Sequence, residues 1–181
     1  LGEMLAARKR LVFDELLRIQ LLLLARKRQL ELATQGISHD FSGDLVNKLI
    51  ESLPFEPTNA QSKAIAEIFQ DLRASYPMHR LLQGDVGSGK TLVAIAALLS
   101  VVEAGKQGSI MAPTEVLAEQ HFVSAKELLG SFILMDSTNL LGERKLNISL
   151  LTSQTSEKDT KEIRAKLRRG EIDIIVGTHS L

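Results

Sequence analysis

The 181-residue chain contains no cysteine. A disulfide framework is therefore excluded, and so are zinc sites built on thiolates; a reducing compartment is compatible with this. Aromatic residues make up only 4% of the chain, although 44% is apolar. The core must then be aliphatic, built from Leu, Ile, Val and Ala. Charge of one sign is also lacking: 22 Lys and Arg balance 22 Asp and Glu. A globally basic nucleic-acid coat is excluded, and any contact with DNA or RNA must use a local patch. Long hydrophobic runs are missing as well. The LLLL at 21–24 is short and flanked by Arg18, Arg26, Lys27 and Arg28, so it cannot span a bilayer, and no secretory signal is present. We expect no membrane association. Asn147-Ile148-Ser149 matches a glycosylation acceptor, which carries no weight without such a signal.

What is present begins with periodicity. Leu5, Val12, Leu16, Ile19, Leu23 and Leu30 recur at helical spacings with charges between them, which predicts one helix over residues 1–33, roughly 50 Å long. That length suits a strut between domains or half of a coiled coil. The clusters Arg8-Lys9-Arg10 and Arg26-Lys27-Arg28 fit either a solvated face or a nucleic-acid contact. Gly36 is expected to end this helix. Residues 36–57 read as a connector around a short helix near 43–52, punctuated by Gly43, Pro54 and Pro57. Thr58 followed by Gln61 is a capping box that starts the next helix.

From residue 79 strands and helices alternate. RLLQ at 80–83 reads as a strand, 89–104 as a helix, GSIMAP as a strand, 115–129 as a helix. LNISLLT then reads as a strand, 157–169 as a helix and IDIIVGT as a strand. Apolar strands without strict alternation, separated by helices, imply a parallel sheet covered on both faces. The segment 130–145 fits this pattern poorly and reads as an inserted turn or a lengthened helix end.

Gly84-Asp85-Val86-Gly87-Ser88-Gly89-Lys90-Thr91 fits G-x-x-x-x-G-K-[ST]. Glycines let successive N–H groups turn inward as a nest for anionic oxygens. The helix beginning near Gly89 adds its positive end. Lys90 supplies a point charge for the β- and γ-phosphates, and Thr91 a hydroxyl for Mg²⁺. Chance matches in a chain of this length arise roughly once in a hundred, and here the loop follows a predicted strand and opens a predicted helix. The expected ligand is ATP with Mg²⁺.

The blocks FDELLRIQLLLLARKR, LPFEPTNAQSKAIAEI, LLQGDVGSGKTLVA, MAPTEVLAEQH and EIDIIVGTHSL, in this order, resemble the RecG-type ATP-dependent DNA helicases of superfamily two. Transcription-repair coupling factors and primosomal helicases share the outline, but the helical segment at 11–28 favours the RecG type. The resemblance implies an incomplete RecA-like P-loop α/β fold preceded by a long helix. Its parts would be a linker helix at 1–35, a connector at 36–57 and the first part of motor domain 1 at 58–181. LPFEPTNAQ resembles the adenine-recognition motif, so Gln61 would read the adenine edge and Phe55 would pack near the base. Gln61 is also the capping-box residue, and both roles stay open. APTEVLAEQ resembles the first DNA-contacting motif, with Pro113 and Thr114, and VGTHSL the next, with Thr178. Thr114 is equally suited to cap the following helix. His121 and His179 read as structural.

The resemblance implies DNA as partner, branched or partly single-stranded, together with a wedge domain and a second motor domain. The chain starts with Leu and stops after an apolar run. We therefore expect a piece of a longer bacterial cytoplasmic protein, inactive alone, with the hydrolytic carboxylates and arginine elsewhere. A nucleotide-gated DNA-binding module remains the alternative. GTPases are disfavoured because the only Asn-Lys, Asn47-Lys48, precedes the loop.

Overall fold

In the computed structural model, which describes residues 2–135 and 142–179, the middle of the main sheet is β5 (Ile174–Gly177). It pairs in parallel with β1 (Gly108–Met111) on one side and β4 (Ile148–Leu151) on the other. All four β5 residues are buried. Successive strand side chains point to opposite faces, so both faces of the sheet are covered at its centre. This is the arrangement expected from the continuous apolar strands.

The described residues fall into two compact units, Leu1–Ser38 with Ala74–His79, and His39–Arg73 with Arg80–Leu181. The first contains α1 (Gly2–Ala33), a 32-residue helix. Its stripe residues Leu5, Val12, Leu16, Ile19 and Leu23 are exposed, while the Leu30 side chain lies outside the described ones. Gly36 does not close α1 in the left-handed conformation, since its φ is not positive and the helix has already ended at Ala33. Instead its N–H donates to the Ser75 carbonyl at 2.8 Å. A Cβ there would lie 2.5 Å from the Tyr76 carbonyl carbon, so close backbone approach requires the glycine.

The second unit runs α2 (Asp44–Ser52), α3 (Asn59–Leu72), α4 (Lys90–Glu103), β1, α5 (Glu115–Leu129), β2 (Ile133–Met135), β3 (Glu143–Lys145), β4, α6 (Glu157–Arg168) and β5. Helix α4 packs against α2, α3 and β1, whereas α5 packs on all three parallel strands and α6 on β4. The core is aliphatic as anticipated, centred on Leu49, Ile95, Leu99, Leu129, Ile172 and Ile174. The helical starts follow their cap residues. Thr58 and Gln61 close the capping box, Thr114 caps α5 and Ser156 caps α6.

Two further expectations fail. Residues 80–83 form no strand, because a strand needs a ladder partner and among the described residues none pairs there. Leu81 is largely exposed. Arg80 instead holds the segment to α3, donating to Asp71 Oδ2 at 2.8 Å and to Glu67 Oε2 at 2.5 Å. These carboxylates, Asp71 first, raise the guanidinium pKa further. The segment 130–145 begins with a turn at 130–131, but its larger described part is extended: β2 and β3 pair antiparallel as a hairpin outside the main sheet, while 136–141 lie outside the described residues. Arg144 on this hairpin makes a two-pronged bond to the buried Asp173 at 2.7 and 2.6 Å, and Asn147 N–H adds a third at 2.8 Å.

Candidate functional site: the glycine loop and the strand-end crest

Residues 84–89 connect Arg80, anchored on α3, to the first residue of α4. Gly87 and Gly89 both have φ of +79°, a region that side chains other than glycine enter at a cost of roughly 1–2 kcal/mol. At Gly89 a Cβ would also collide with Gln61 Nε2. No side chain caps α4. Capped helices spend early N–H groups on a Ser, Thr or Asp oxygen; here the Gly89 carbonyl takes the Leu92 N–H at 3.0 Å, no side chain takes those of Lys90 and Thr91, and the positive helix end meets the loop.

Lys90 folds back into the concavity. Its Nζ donates to the carbonyls of Gly84 at 2.8 Å and Asp85 at 2.7 Å. An ammonium has three donors, so one remains for an anion. Thr91 follows in the first turn and is half-buried. Ser88 N–H closes the loop onto the Asp85 carbonyl at 3.2 Å. A cleft of about 400 Å³ opens here, lined among others by Gln61, Gly84, Asp85, Ser88 and Lys90. The uncapped helix, the left-handed glycines and the inward ammonium suit a polyphosphate.

Gln61 does two jobs at once. Its Oε1 accepts the Thr58 N–H at 2.8 Å and its Nε2 donates to the Ser88 carbonyl at 2.9 Å. The side chain thus completes the cap of α3 while gripping the glycine loop. The cap is made by one end of the amide and the contact with the glycine loop by the other, a division that spacing alone does not reveal. Phe55 is exposed and is not among the cleft-lining residues. Val86 is fully exposed at the loop tip.

Pro113, Thr114 and Thr178 come together at one end of the sheet. The register aligns Met111, Gly177 and Leu151, so the segments that follow them emerge side by side. Ala112 N–H reaches the Gly177 carbonyl at 2.8 Å. Thr114 Oγ1 accepts the Leu117 N–H at 3.3 Å, and Thr178 is buried. His179 is exposed and His121 half-buried; among the described residues no His, Asp or Glu cluster could hold a metal ion.

Sequence reasoning missed the turn at 152–156. Glu115 Oε1 accepts the Ser153 N–H at 3.1 Å and the Ser153 hydroxyl, and Oε2 accepts Gln154 Nε2 at 2.8 Å. The Ser153 hydroxyl first, and then Gln154, holds the Glu115 carboxyl below the usual glutamate range. The turn closes on itself through Thr152 N–H to Thr155 Oγ1 at 3.0 Å. The available signal was the run Thr-Ser-Gln-Thr-Ser between a strand and a helix, whose hydroxyls favour turns and caps.

A glycine-loop helix start beside a row of strand-end loops defines a P-loop nucleotide-binding domain. Residues 58–181 match the DEAD/DEAH box helicase family, and the chain belongs to that family. It is 46% identical over 175 residues to the ATP-dependent DNA helicase RecG of Bacillus subtilis, covering 97% of this chain and 24% of that protein. To RecG of Synechocystis it is 43% identical, covering 97% of this chain and 20% of that protein. A solved structure of RecG bound to a three-way DNA junction superposes with a TM-score of 0.82 at 40% identity, over 97% of this chain and 22% of that one. The chain thus spans about a quarter of the length of these relatives.

Proposed function

We propose that this chain forms the nucleotide-binding part of an ATP-dependent DNA helicase acting on branched DNA. Residues 1–35 act as a linker helix, 36–57 as a connector and 58–181 as part of the first motor domain. The observation that carries the reading is the uncapped start of α4, with Lys90 curled over the Gly84 and Asp85 carbonyls.

In this reading the N–H groups of 85–91, apart from that of Ser88, which the Asp85 carbonyl accepts, and the third donor of Lys90 receive the phosphate tail of ATP. The Thr91 hydroxyl would help hold Mg²⁺, which would supply positive charge to offset that of the phosphate tail. Gln61 presents to the adenine edge the second Nε2 hydrogen and the second Oε1 lone pair, which the bonds to Ser88 and Thr58 leave unused. Phe55 closes toward the base from its exposed position. Pro113, Thr114 and Thr178 face the DNA backbone, where N–H groups at the start of α5 suit a phosphate. The relatives' names, and the junction in the RecG structure, support DNA with a branch point as partner. Their bacterial sources support a cytoplasmic location, and no described helix is long and apolar enough to cross a membrane.

The test uses the full-length gene product: ATP hydrolysis with and without DNA, and unwinding of a synthetic fork, each beside Lys90→Ala. We expect DNA-stimulated turnover and unwinding that the substitution abolishes while DNA binding persists. Nucleotide-dependent DNA binding without unwinding would instead support a gated binding module. Turnover unaffected by Lys90→Ala would overturn the site.

A further inference from the structure

Helix α6 packs on the core through Ile163 and Leu167, which rest on Leu151, Ile172 and Ile175. Away from that side, Lys158, Lys161, Arg164 and Arg168 follow one another at steps of three, three and four residues, which places them in one row. All four are exposed. None forms a hydrogen bond or ion pair among the described residues. The helix's own acids are mostly engaged elsewhere, Glu162 with Lys166 at 2.7 Å and Asp159 with the capping Ser156. Glu157 shares the row, and Glu162 lies close enough to Lys158 to feel its charge.

We propose that this row is a nucleic-acid backbone contact that extends the strand-end crest along α6. Three observations favour DNA over an acidic protein. The row starts at the crest itself, because Ser156 caps α6 directly after the turn that Glu115 holds beside Thr114. Its span from 158 to 168 is about 15 Å, over which one strand of duplex presents about four phosphates, matching four cations. The chain is neutral overall, so attraction to a polyanion must come from such a local concentration of charge. The inference rests on the reading that the intact protein binds DNA.

The experiment measures binding of a labelled fork by the full-length gene product between about 50 and 200 mM salt. The variant carries Lys158→Gln, Lys161→Gln, Arg164→Gln and Arg168→Gln. Each phosphate contact contributes about 0.9 to the slope of log affinity against log salt. We expect the slope to shrink by about 2 to 4 and affinity to fall at least about tenfold at the upper salt, with ATP-analogue binding and the melting midpoint unchanged. Removing a cation on α2 instead, Lys48→Gln, should leave the slope unchanged. Exchanging Lys for Arg and Arg for Lys in the row should restore binding. If the quadruple variant melts early, the pairs 158/161 and 164/168 are read separately, each expected to lower the slope by about half as much.

Wild-type binding with an unchanged variant slope overturns the inference and leaves the row to an acidic protein partner. A wild-type protein that binds no DNA overturns both this inference and the helicase reading.

Discussion

Glu103, the last residue of α4, turns its carboxylate onto the start of α2 and accepts the Gly43 N–H at 2.9 Å. The same carboxylate also accepts N–H groups from Ser42, Asp44 and Leu45 at 3.0, 3.2 and 3.3 Å, and the Ser42 hydroxyl. Helix α2 has no cap of its own, since its N-cap is Gly43. A carboxylate about 60 residues away therefore does the work of an N-cap and meets the positive helix end. Since α4 begins at Lys90, one rigid helix joins the glycine loop to the connector.

Glu103→Ala should destabilise the protein by about 1–3 kcal/mol, because several donors lose their acceptor at once. Glu103→Gln keeps one acceptor oxygen and should cost about half as much. Urea denaturation of both variants checks the order, and equal midpoints for wild type and Ala would contradict the cap.

Gln61→Glu separates the two bonds of Gln61. A carboxylate still accepts from Thr58, as capping boxes allow, but it cannot donate to the Ser88 carbonyl. Melting should shift little, while ATP-analogue affinity drops by about tenfold or more from the lost amide donor and the added negative charge. Gln61→Ala should lose both, with about 1 kcal/mol of stability. Titration calorimetry alongside thermal melts distinguishes them.

Gly89→Ala combines a φ of +79° with a collision against Gln61. We expect a loss of about 1–3 kcal/mol and no measurable nucleotide binding. Gly105→Ala has a comparable φ of +71° but open space around it. It should show only the smaller conformational penalty and retain binding, which a nucleotide-binding assay on both variants checks.

The Glu115 carboxyl is held below its ordinary value by Ser153 and Gln154. Its folded pKa is depressed, so its contribution is complete above the unfolded value near 4.5 and disappears as pH falls through the folded value. Glu115→Gln should therefore flatten the stability–pH curve below about pH 4.5 while leaving its shape near neutrality unchanged. Denaturation midpoints at a series of pH values read this directly.

Asp173→Ala leaves Arg144 without its two-pronged partner and Asn147 N–H without an acceptor. Because Asp173 is buried and Arg144 only partly so, the cost should fall near about 2–3 kcal/mol, below that of a fully buried pair. Chemical denaturation provides the number. A loss under about 0.5 kcal/mol would show that the hairpin is not pinned to β5 by this pair.

Much of the fold was legible in short-range chemistry. Caps at Thr58 and Thr114 announce α3 and α5, and the aliphatic runs at 148–151 and 174–177 announce parallel strands. The glycine loop followed by Lys90 is legible because its residue types are required by backbone angles and charge within eight positions. The segment 80–83 was misread because an apolar run specifies extended backbone but not a neighbour to bond with. The pairing of β2 with β3 was missed because each strand has only three residues, too few for alternation to stand out.

The amino-acid sequence by itself determined the aliphatic parallel-sheet class, the helix starts and the glycine loop that opens α4, all set by interactions between residues a few positions apart. Only the tertiary structure decided that Gln61 divides its amide between Thr58 and Ser88, that Glu103 caps α2, and that Glu115 ties Ser153 to the crest beside Thr114 and Thr178. Each of the last two, and the grip on Ser88, joins groups some 27 to 61 positions apart. Hydrogen bonds act over about 3 Å, and residues that distant in sequence come so close only through the packing of the whole domain.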